Sequence, residues 1–194
     1  MRRFCLYFIL SLVMLSPQMS AEPAPEGVPA AIWLEAAAAR ERFNQEIKND
    51  DLLVLIDYTQ VSNRKRFYVV DLIANKAQSY LVAHGQGSDT DHDGIAEAFS
   101  NRNGSRMTSL GAFVTGETYY GRHGLSLRLH GLEARNDQAY DRAIVIHGAA
   151  YVSPERRILG RSWGCPALEQ EIALELIPKL QGGVFVYVVG TVSS

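Results

Sequence analysis

The sequence predicts a mainly β domain with a few helices, built on a sheet or sandwich. From Leu52 onward, short runs rich in β-branched and aromatic residues alternate with turn-forming Ser-Asn, Ala-Asn-Lys and glycine-rich pieces. At 194 residues the chain is long enough for one compact domain with its own core. Seven runs are predicted as strands: residues 52–58, 66–72, 78–84, 110–115, 125–129, 143–147 and 184–189.

Two segments have the composition of helices instead. Residues 30–47 follow a proline-rich linker and are rich in Ala, Glu and Arg, which favour a helix. Residues 169–177 begin with acidic side chains, and this helix is expected to end near Pro178 and the Gly182-Gly183 pair. The helices are therefore expected to pack on the sheet rather than to replace it.

The N-terminus has the features of a secretory signal peptide. Two arginines follow Met1, and an apolar stretch covers residues 4–15. That stretch is shorter than the ~20 residues of a membrane-spanning helix, which disfavours the alternative of an uncleaved anchor. We therefore expect an exported protein that faces the periplasm or cell wall, with no stable membrane insertion after cleavage. The predicted units are a leader of residues 1–21, a linker and helix of residues 22–50, and a main domain of residues 51–190.

Charge and metal motifs argue against several classes of function. A net charge of −2 and a pI near 6.2, with both signs interspersed, give no electrostatic reason to bind nucleic acid or an anionic membrane. The run from Asp89 to Gly94 resembles the start of a calcium loop, but its twelfth position is Ser100 rather than Glu, so a solvated acidic loop is favoured. No spacing of ligand residues suggests zinc, and no motif predicts an organic cofactor.

A serine nucleophile is tested first, because residues 160–164 match the Gly-x-Ser-x-Gly pattern of hydrolases. In that fold the acid and the histidine follow the serine along the chain. All five histidines of this chain precede Ser162, and no aspartate follows it. The order of residues therefore argues against a serine hydrolase.

Cys165 is the better candidate for a nucleophile. Removal of the leader removes Cys5 and leaves one cysteine, which cannot form an intramolecular disulfide in an oxidising compartment. It is therefore an inert buried residue, an intermolecular partner or a working thiol. The β-branched run that ends at His147 delivers an imidazole to a sheet edge, and fourteen residues separate it from Ser162.

Three effects are expected to lower the pKa of the Cys165 thiol. The cysteine precedes Pro166 at the predicted start of a helix, His147 is available, and Arg161 is close in sequence. The backbone N–H groups of Gly164 and Cys165 are expected to form an oxyanion hole. A thiolate in such a setting predicts nucleophilic catalysis near neutral pH.

Aromatic and cationic residues surround this predicted site in the sequence. Tyr151 and Trp163 flank it, either as pocket walls or as packing residues. The segments Arg122-His123 and Arg128-Leu129-His130 place cations beside strands, either as a carboxylate-binding face or as solvated side chains.

The motif of His147, fourteen residues that begin with Gly148, then Ser162-Trp163-Gly164-Cys165 resembles the signature of the L,D-transpeptidase (YkuD-type) catalytic domains that remodel bacterial peptidoglycan. Trp163 departs from the parent pattern, which has a histidine there, and Ala167 stands where the parent family usually has an arginine. We assign the substrate role of that arginine to Arg161. Three further segments resemble a bacterial branch of the family whose cysteine motif is Gly-Arg-Ser-x-Gly-Cys-Pro-Ala: residues 99–101, 108–119 and 121–124.

The resemblance implies a β-sandwich that acts on peptidoglycan stem peptides by acyl transfer, with no metal or organic cofactor. Cys165 would attack the carbonyl before the terminal D-alanine of a tetrapeptide stem, and His147 would take the thiol proton. The residues expected to contact the substrate are Arg161, Ser162, Trp163, Tyr151 and His123.

Three alternatives stay open at the level of the sequence. Water could resolve the same thioester, which would make the protein an L,D-carboxypeptidase or a cross-link hydrolase. The fold could also serve as a non-catalytic module that binds cell-wall peptides. An exported β protein with a buried, unreactive cysteine is the third.

Overall fold

A computed structural model describes residues 23–191 as eight strands, two α-helices and a single 3-10 turn. The predicted mainly β class with a few helices is confirmed, and the strands form one continuous sheet. The predicted leader lies outside the described residues. In chain order the elements are α1 (Ala30–Arg42), β1 (Asn49–Asp57), β2 (Lys65–Asp71), β3 (Lys76–Leu81), the 3-10 turn (Gln86–Ser88), β4 (Gly111–Gly121), β5 (Gly124–Gly131), β6 (Val145–Gly148), β7 (Ala167–Leu168), α2 (Gln170–Leu180) and β8 (Val184–Val189).

The strand order is β3-β2-β1-β8-β4-β5-β6-β7. The β1–β8 and β6–β7 pairs are parallel, and the other neighbours are antiparallel. After β3 the chain leaves β2 and reaches the opposite edge of the sheet, where the Ala83 N–H donates to the Ala167 carbonyl at 2.8 Å. The sheet therefore curls like a barrel, and the residues after β3 lie against β7.

Both faces of the central strand β1 are buried, each under a different helix. Leu53 and Leu55 belong to the core cluster that contains Trp33 and Ala36 of α1. Val54 and Ile56 belong to the opposite cluster, which contains residues 173, 176, 177 and 180 of α2. Alternate side chains of a strand point to opposite faces, so this uninterrupted apolar run is what a strand covered on both sides requires.

The ends of several elements differ from the sequence prediction, and strand β7 has no counterpart in it. Helix α1 ends at Arg42 rather than at Ile47. Ile47 still packs in the same core cluster as α1, which is why the apolar pattern of the sequence predicts a longer helix. Helix α2 includes Pro178 in its last turn and ends at Leu180, two residues before the Gly182-Gly183 pair. Strand β4 extends to Gly121 through a register shift against β5. Within residues 23–191, no helix has the length and apolar character needed to cross a membrane.

Candidate active site

The parallel pairing of β6 with β7 brings the predicted histidine and cysteine to one cleft. His147 is opposite Ala167 in this pair. Its backbone N–H donates at 3.4 Å to the carbonyl of Pro166, the residue after Cys165. The cleft has a volume of about 380 Å³. Its lining residues are Tyr119, Arg122, His123, Arg142, Ala143, Val145, His147, Tyr151, Arg161, Ser162, Trp163 and Cys165.

Cys165 has a free, partly exposed thiol on the wall of this cleft. Its Sγ lies 3.6 Å from the Ala143 carbonyl, to which the S–H donates, and the Val145 N–H donates to the sulfur. The predicted helix start at Cys165 is wrong. Strand β7 follows the cysteine, and α2 begins only at Gln170, so the thiol receives no help from a helix N-terminus.

Ser162 holds the cysteine loop in shape. Its Oγ donates to the Cys165 carbonyl at 2.6 Å and accepts the Gly164 N–H at 3.0 Å. Its own N–H donates to the His84 carbonyl at 2.9 Å. The Gly164 N–H that was predicted to bind an oxyanion is therefore already engaged.

Gly164 also has a backbone conformation that only glycine adopts easily. Its φ is +121°, and a Cβ there would lie 2.7 Å from the Met107 carbonyl oxygen and 3.3 Å from Arg142 Nη2. A side chain at this position would clash with the Met107 backbone and displace the cysteine loop.

His147 is buried, and one ring nitrogen is fixed by its own backbone. Nδ1 lies 2.9 Å from the Gly148 carbonyl oxygen, which can only accept, so Nδ1 carries the proton in the neutral ring. Nε2 is then left with its lone pair. The ring stacks on His123, with centroids 4.4 Å apart and planes at 25°. His147 therefore has the tautomer of a general base.

Burial of Cys165 and His147 favours the neutral form of each side chain. Burial raises the pKa of the Cys165 thiol, and the Val145 N–H and the Arg142 cation oppose that rise. Burial lowers the pKa of His147, the Gly148 carbonyl opposes this, and His123 adds to the lowering. The expected lowering of the thiol pKa is therefore wrong, because desolvation outweighs the nearby cation. The resting pair is a thiol and a neutral imidazole.

Arg142, rather than Arg161, is the cation next to the cysteine. Its Nη1 donates to the Ser100 carbonyl at 2.7 Å, and its Nη2 donates to the Met107 carbonyl at 2.6 Å. Arg161 Nη1 donates to the Asp89 carbonyl. Sequence reasoning missed Arg142, because nothing in the pattern before β6 marks it.

The two aromatic residues predicted to flank the site both line the cleft. Trp163 is 63% exposed, and the guanidinium of Arg106 lies 4.6 Å from the centroid of its ring. Tyr151 packs closely on Gly160, where a Cβ would lie 2.5 Å from the tyrosine Cβ. Trp163 is therefore a cleft wall rather than a core residue.

The two cationic segments have different positions. Arg122 and His123 form the turn between β4 and β5 and line the cleft. Arg128 is instead stacked between Tyr119 and Tyr140, at 4.6 and 4.8 Å from their ring centroids, and is paired to a carboxylate. Tyr119 also lines the cleft, and its place in the 108–119 segment was the signal that could have identified it.

A comparison with known families decides what kind of domain carries this cleft. A family model described as the L,D-transpeptidase catalytic domain matches residues 25–189. The chain belongs to the L,D-transpeptidase catalytic-domain family. This is a family of enzymes, and the matched range includes α1 as well as the whole sheet.

Solved structures similar to this L,D-transpeptidase domain come from several bacteria. One is an L,D-transpeptidase from Mycobacterium smegmatis, with 12% identity over 72% of this chain and 59% of that chain, at a TM-score of 0.47. Another is L,D-transpeptidase 3 from Mycobacterium tuberculosis, with 11% identity over 72% and 61%, at a TM-score of 0.47. The helical cell shape determining protein Pgp2 from Campylobacter jejuni has 15% identity over 76% and 49%, at 0.45. No curated protein sequence matches the chain significantly. The chain spans about three fifths of the length of the two mycobacterial proteins.

Position 167 cannot supply a cleft cation in this L,D-transpeptidase domain. Ala167 is fully buried between His147 of β6 and Ala83 of the returning chain. An arginine there would enter the packed interior of the sheet. The cations of the cleft therefore come from other parts of the chain.

The acidic loop of residues 89–94 contacts the segment before the cysteine, where Arg161 Nη1 donates to the Asp89 carbonyl. Asp91 and Asp93 are exposed, as expected, but Asp89 is buried, and the three carboxylates come within 4.8 Å of one another. Asp89 already accepts hydrogen bonds from His84 and from the backbone N–H groups of Asp93 and Gly94. The first aspartate thus has a structural role that a solvated loop does not require.

Proposed function

We propose that this domain is a peptidoglycan L,D-transpeptidase that works through a thioester on Cys165. The observation that carries the proposal is one cleft with a free thiol and a buried histidine whose Nε2 lone pair is unoccupied. Membership of the L,D-transpeptidase catalytic-domain family supports the same chemistry. A nucleophile and a base that line the same cleft are the first parts that covalent catalysis requires.

The acylation step follows from the protonation states. Cys165 Sγ attacks the carbonyl that joins the third residue of a tetrapeptide stem, diaminopimelate or lysine, to its terminal D-alanine. Because the resting thiol is neutral, His147 Nε2 takes the proton as the S–C bond forms. The C–N bond then breaks, and the same imidazole returns the proton to the amine of D-alanine.

The developing oxyanion needs a donor, and the Cys165 N–H is available for it. Within residues 23–191 this N–H has no hydrogen-bond partner, whereas the Gly164 N–H is used by Ser162. We therefore assign oxyanion binding to Cys165 alone. Loss of one such donor costs about 100- to 1000-fold in rate.

An amine of a second stem would resolve the thioester and form a cross-link. Water in place of the amine would give an L,D-carboxypeptidase. Both reactions share the same acyl-enzyme, so the products have to be measured. Because stem peptides reside in the cell wall, this function requires export, in agreement with the predicted leader of residues 1–21.

The test is incubation of the purified domain with tetrapeptide muropeptides, followed by mass analysis of protein and products. Wild type is expected to gain the mass of the stem minus D-alanine and to release dimers with a 3–3 link. Tripeptide monomers without dimers would contradict transfer and support hydrolysis. Cys165→Ala is the matched control, and it is expected to give neither adduct nor product. A non-catalytic module predicts equal binding of muropeptides by both proteins and no adduct on wild type.

A further inference from the structure

Three arginines line the cleft, and they differ in how far their guanidinium groups are already hydrogen-bonded. Among the described residues that line it are three arginines and two histidines, and none is Asp or Glu. Arg142 is held by backbone oxygens of the 100–109 loop, and Arg161 donates to the Asp89 carbonyl. Arg122 makes no hydrogen bond or ion pair with any residue of 23–191.

The position of Arg122 is fixed by the turn that carries it. Arg122 and His123 form the two-residue loop between β4 and β5, and Gly121 pairs with Gly124 across it. His123 stacks on the ring of His147 at 4.4 Å. The loop therefore lies beside His147, and the exposed Arg122 side chain lines the cleft next to that residue.

That side of the cleft is where the leaving group must lie. His147 has to reach the leaving nitrogen in order to protonate it. In a peptide that ends at the residue being released, the terminal carboxylate is attached to the carbon next to that nitrogen. We propose that Arg122 binds this C-terminal carboxylate and thereby selects stems from which a single D-alanine is released.

This inference rests on the proposed function and names the residue that sets its substrate length. A free guanidinium suits a carboxylate because it forms two parallel charge-assisted hydrogen bonds. Arg161, which was expected to take the substrate role of the family arginine, also lines the cleft, but its Nη1 already donates to the Asp89 carbonyl. A longer peptide has no carboxylate at this position and leaves the cation unpaired.

The experiment compares a tetrapeptide stem with its C-terminal amide. Wild type is expected to prefer the acid by about 10- to 100-fold in kcat/KM for acylation, the range of one charge-assisted pair. Arg122→Gln is expected to lower kcat/KM for the acid to that for the amide, and Arg122→Lys to keep part of the preference. The matched control is Arg156→Gln, the same change at an exposed arginine that does not line the cleft, and it should keep the full preference.

A wild type that treats acid and amide alike, or an Arg122→Gln variant that keeps the preference, would overturn the inference. Binding of both peptides to Cys165→Ala, with and without Arg122→Gln, separates this result from failure of the proposed function. If wild type forms no acyl-enzyme but Cys165→Ala binds the acid more tightly only when Arg122 is present, the chemistry fails and the carboxylate site stands. If acylation occurs and neither measurement depends on Arg122, the function stands and the site fails.

Discussion

Two histidines of this domain are equally buried, each 1% exposed, and have opposite uses. His84 Nδ1 accepts from Arg66 Nη2 at 2.8 Å, and its Nε2 donates to Asp89 at 3.0 Å, so both nitrogens are occupied. His147 has only Nδ1 occupied, by the Gly148 carbonyl, and faces the cleft. The nitrogen that the protein leaves without a partner therefore distinguishes the proposed base, His147, from a structural residue.

The two environments also lower the pKa of each histidine for different reasons. Burial and the Arg66 cation lower the pKa of His84 to about 4, although Asp89 opposes them. Burial and the stacked His123 lower the pKa of His147, against the Gly148 hydrogen bond. Both rings are neutral near pH 7, but only His147 has a lone pair facing a place where substrate can enter.

The largest expected difference between the two histidines is in catalysis. His147→Gln removes the base and is expected to lower the rate of acylation about 100- to 10,000-fold, with little change in stability. Single-turnover acylation followed by intact mass measures the rate, and urea unfolding measures the stability. A rate within tenfold of wild type would show that another group takes the thiol proton.

The second difference is in stability. His84→Leu leaves the guanidinium of Arg66 and the carboxylate of Asp89 buried with fewer partners. We expect a loss of about 3 kcal/mol in the free energy of unfolding. Urea unfolding of this variant beside His147→Gln checks the comparison. A loss below about 1 kcal/mol would mean that the network is not what holds this region together.

The third difference is in the pH dependence of stability. The folded pKa of His84, about 4, lies below its ordinary value of 6.5. Between these values the unfolded chain binds more protons, so the stability that is complete above pH 6.5 falls as the pH drops towards 4. This shift corresponds to roughly 3 kcal/mol. Unfolding curves from pH 4 to 8 should show the steepest slope in wild type, a slightly flatter one in His147→Gln, because the pKa of His147 is also lowered by folding but less, and the flattest in His84→Leu. Equal slopes in all three proteins would assign the effect to other groups.

Sequence reasoning predicted seven of the eight strands, and the cysteine and histidine that line one cleft, because both depend on local pattern and spacing. It could not separate the two histidines, because His84-Gly85 and His147-Gly148 each end a run of apolar and β-branched residues. What distinguishes them is Arg66 of β2. It lies eighteen residues before His84 in the chain, and its guanidinium contacts the His84 ring only in the folded protein.

The errors at the cysteine have the same origin. A Gly-Cys-Pro sequence suggests a helix start, but β7 is a two-residue strand whose pairing with β6 and Ala83 has no local signal. The Gly164 N–H was predicted to be free, and the hydroxyl that occupies it belongs to a residue assigned to substrate binding. In each case a partner from elsewhere in the fold, or an unexpected local hydrogen bond, decided the outcome.

The smallest expected effect concerns His123, whose ring stacks on that of His147. Replacing His123 by Phe keeps an aromatic ring stacked on His147. It removes the electrostatic effect by which His123 lowers the pKa of His147, so that pKa should rise. Neutral base is then scarcer at low pH, and the acid limb of the kcat/KM profile should move upward by less than one pH unit. His123→Leu also removes the stacked ring, which exposes His147 and weakens the effect of burial, so its limb should move at least as far as that of the Phe variant. A downward move in either variant would mean that His123 stabilises the protonated form of His147 rather than the neutral form.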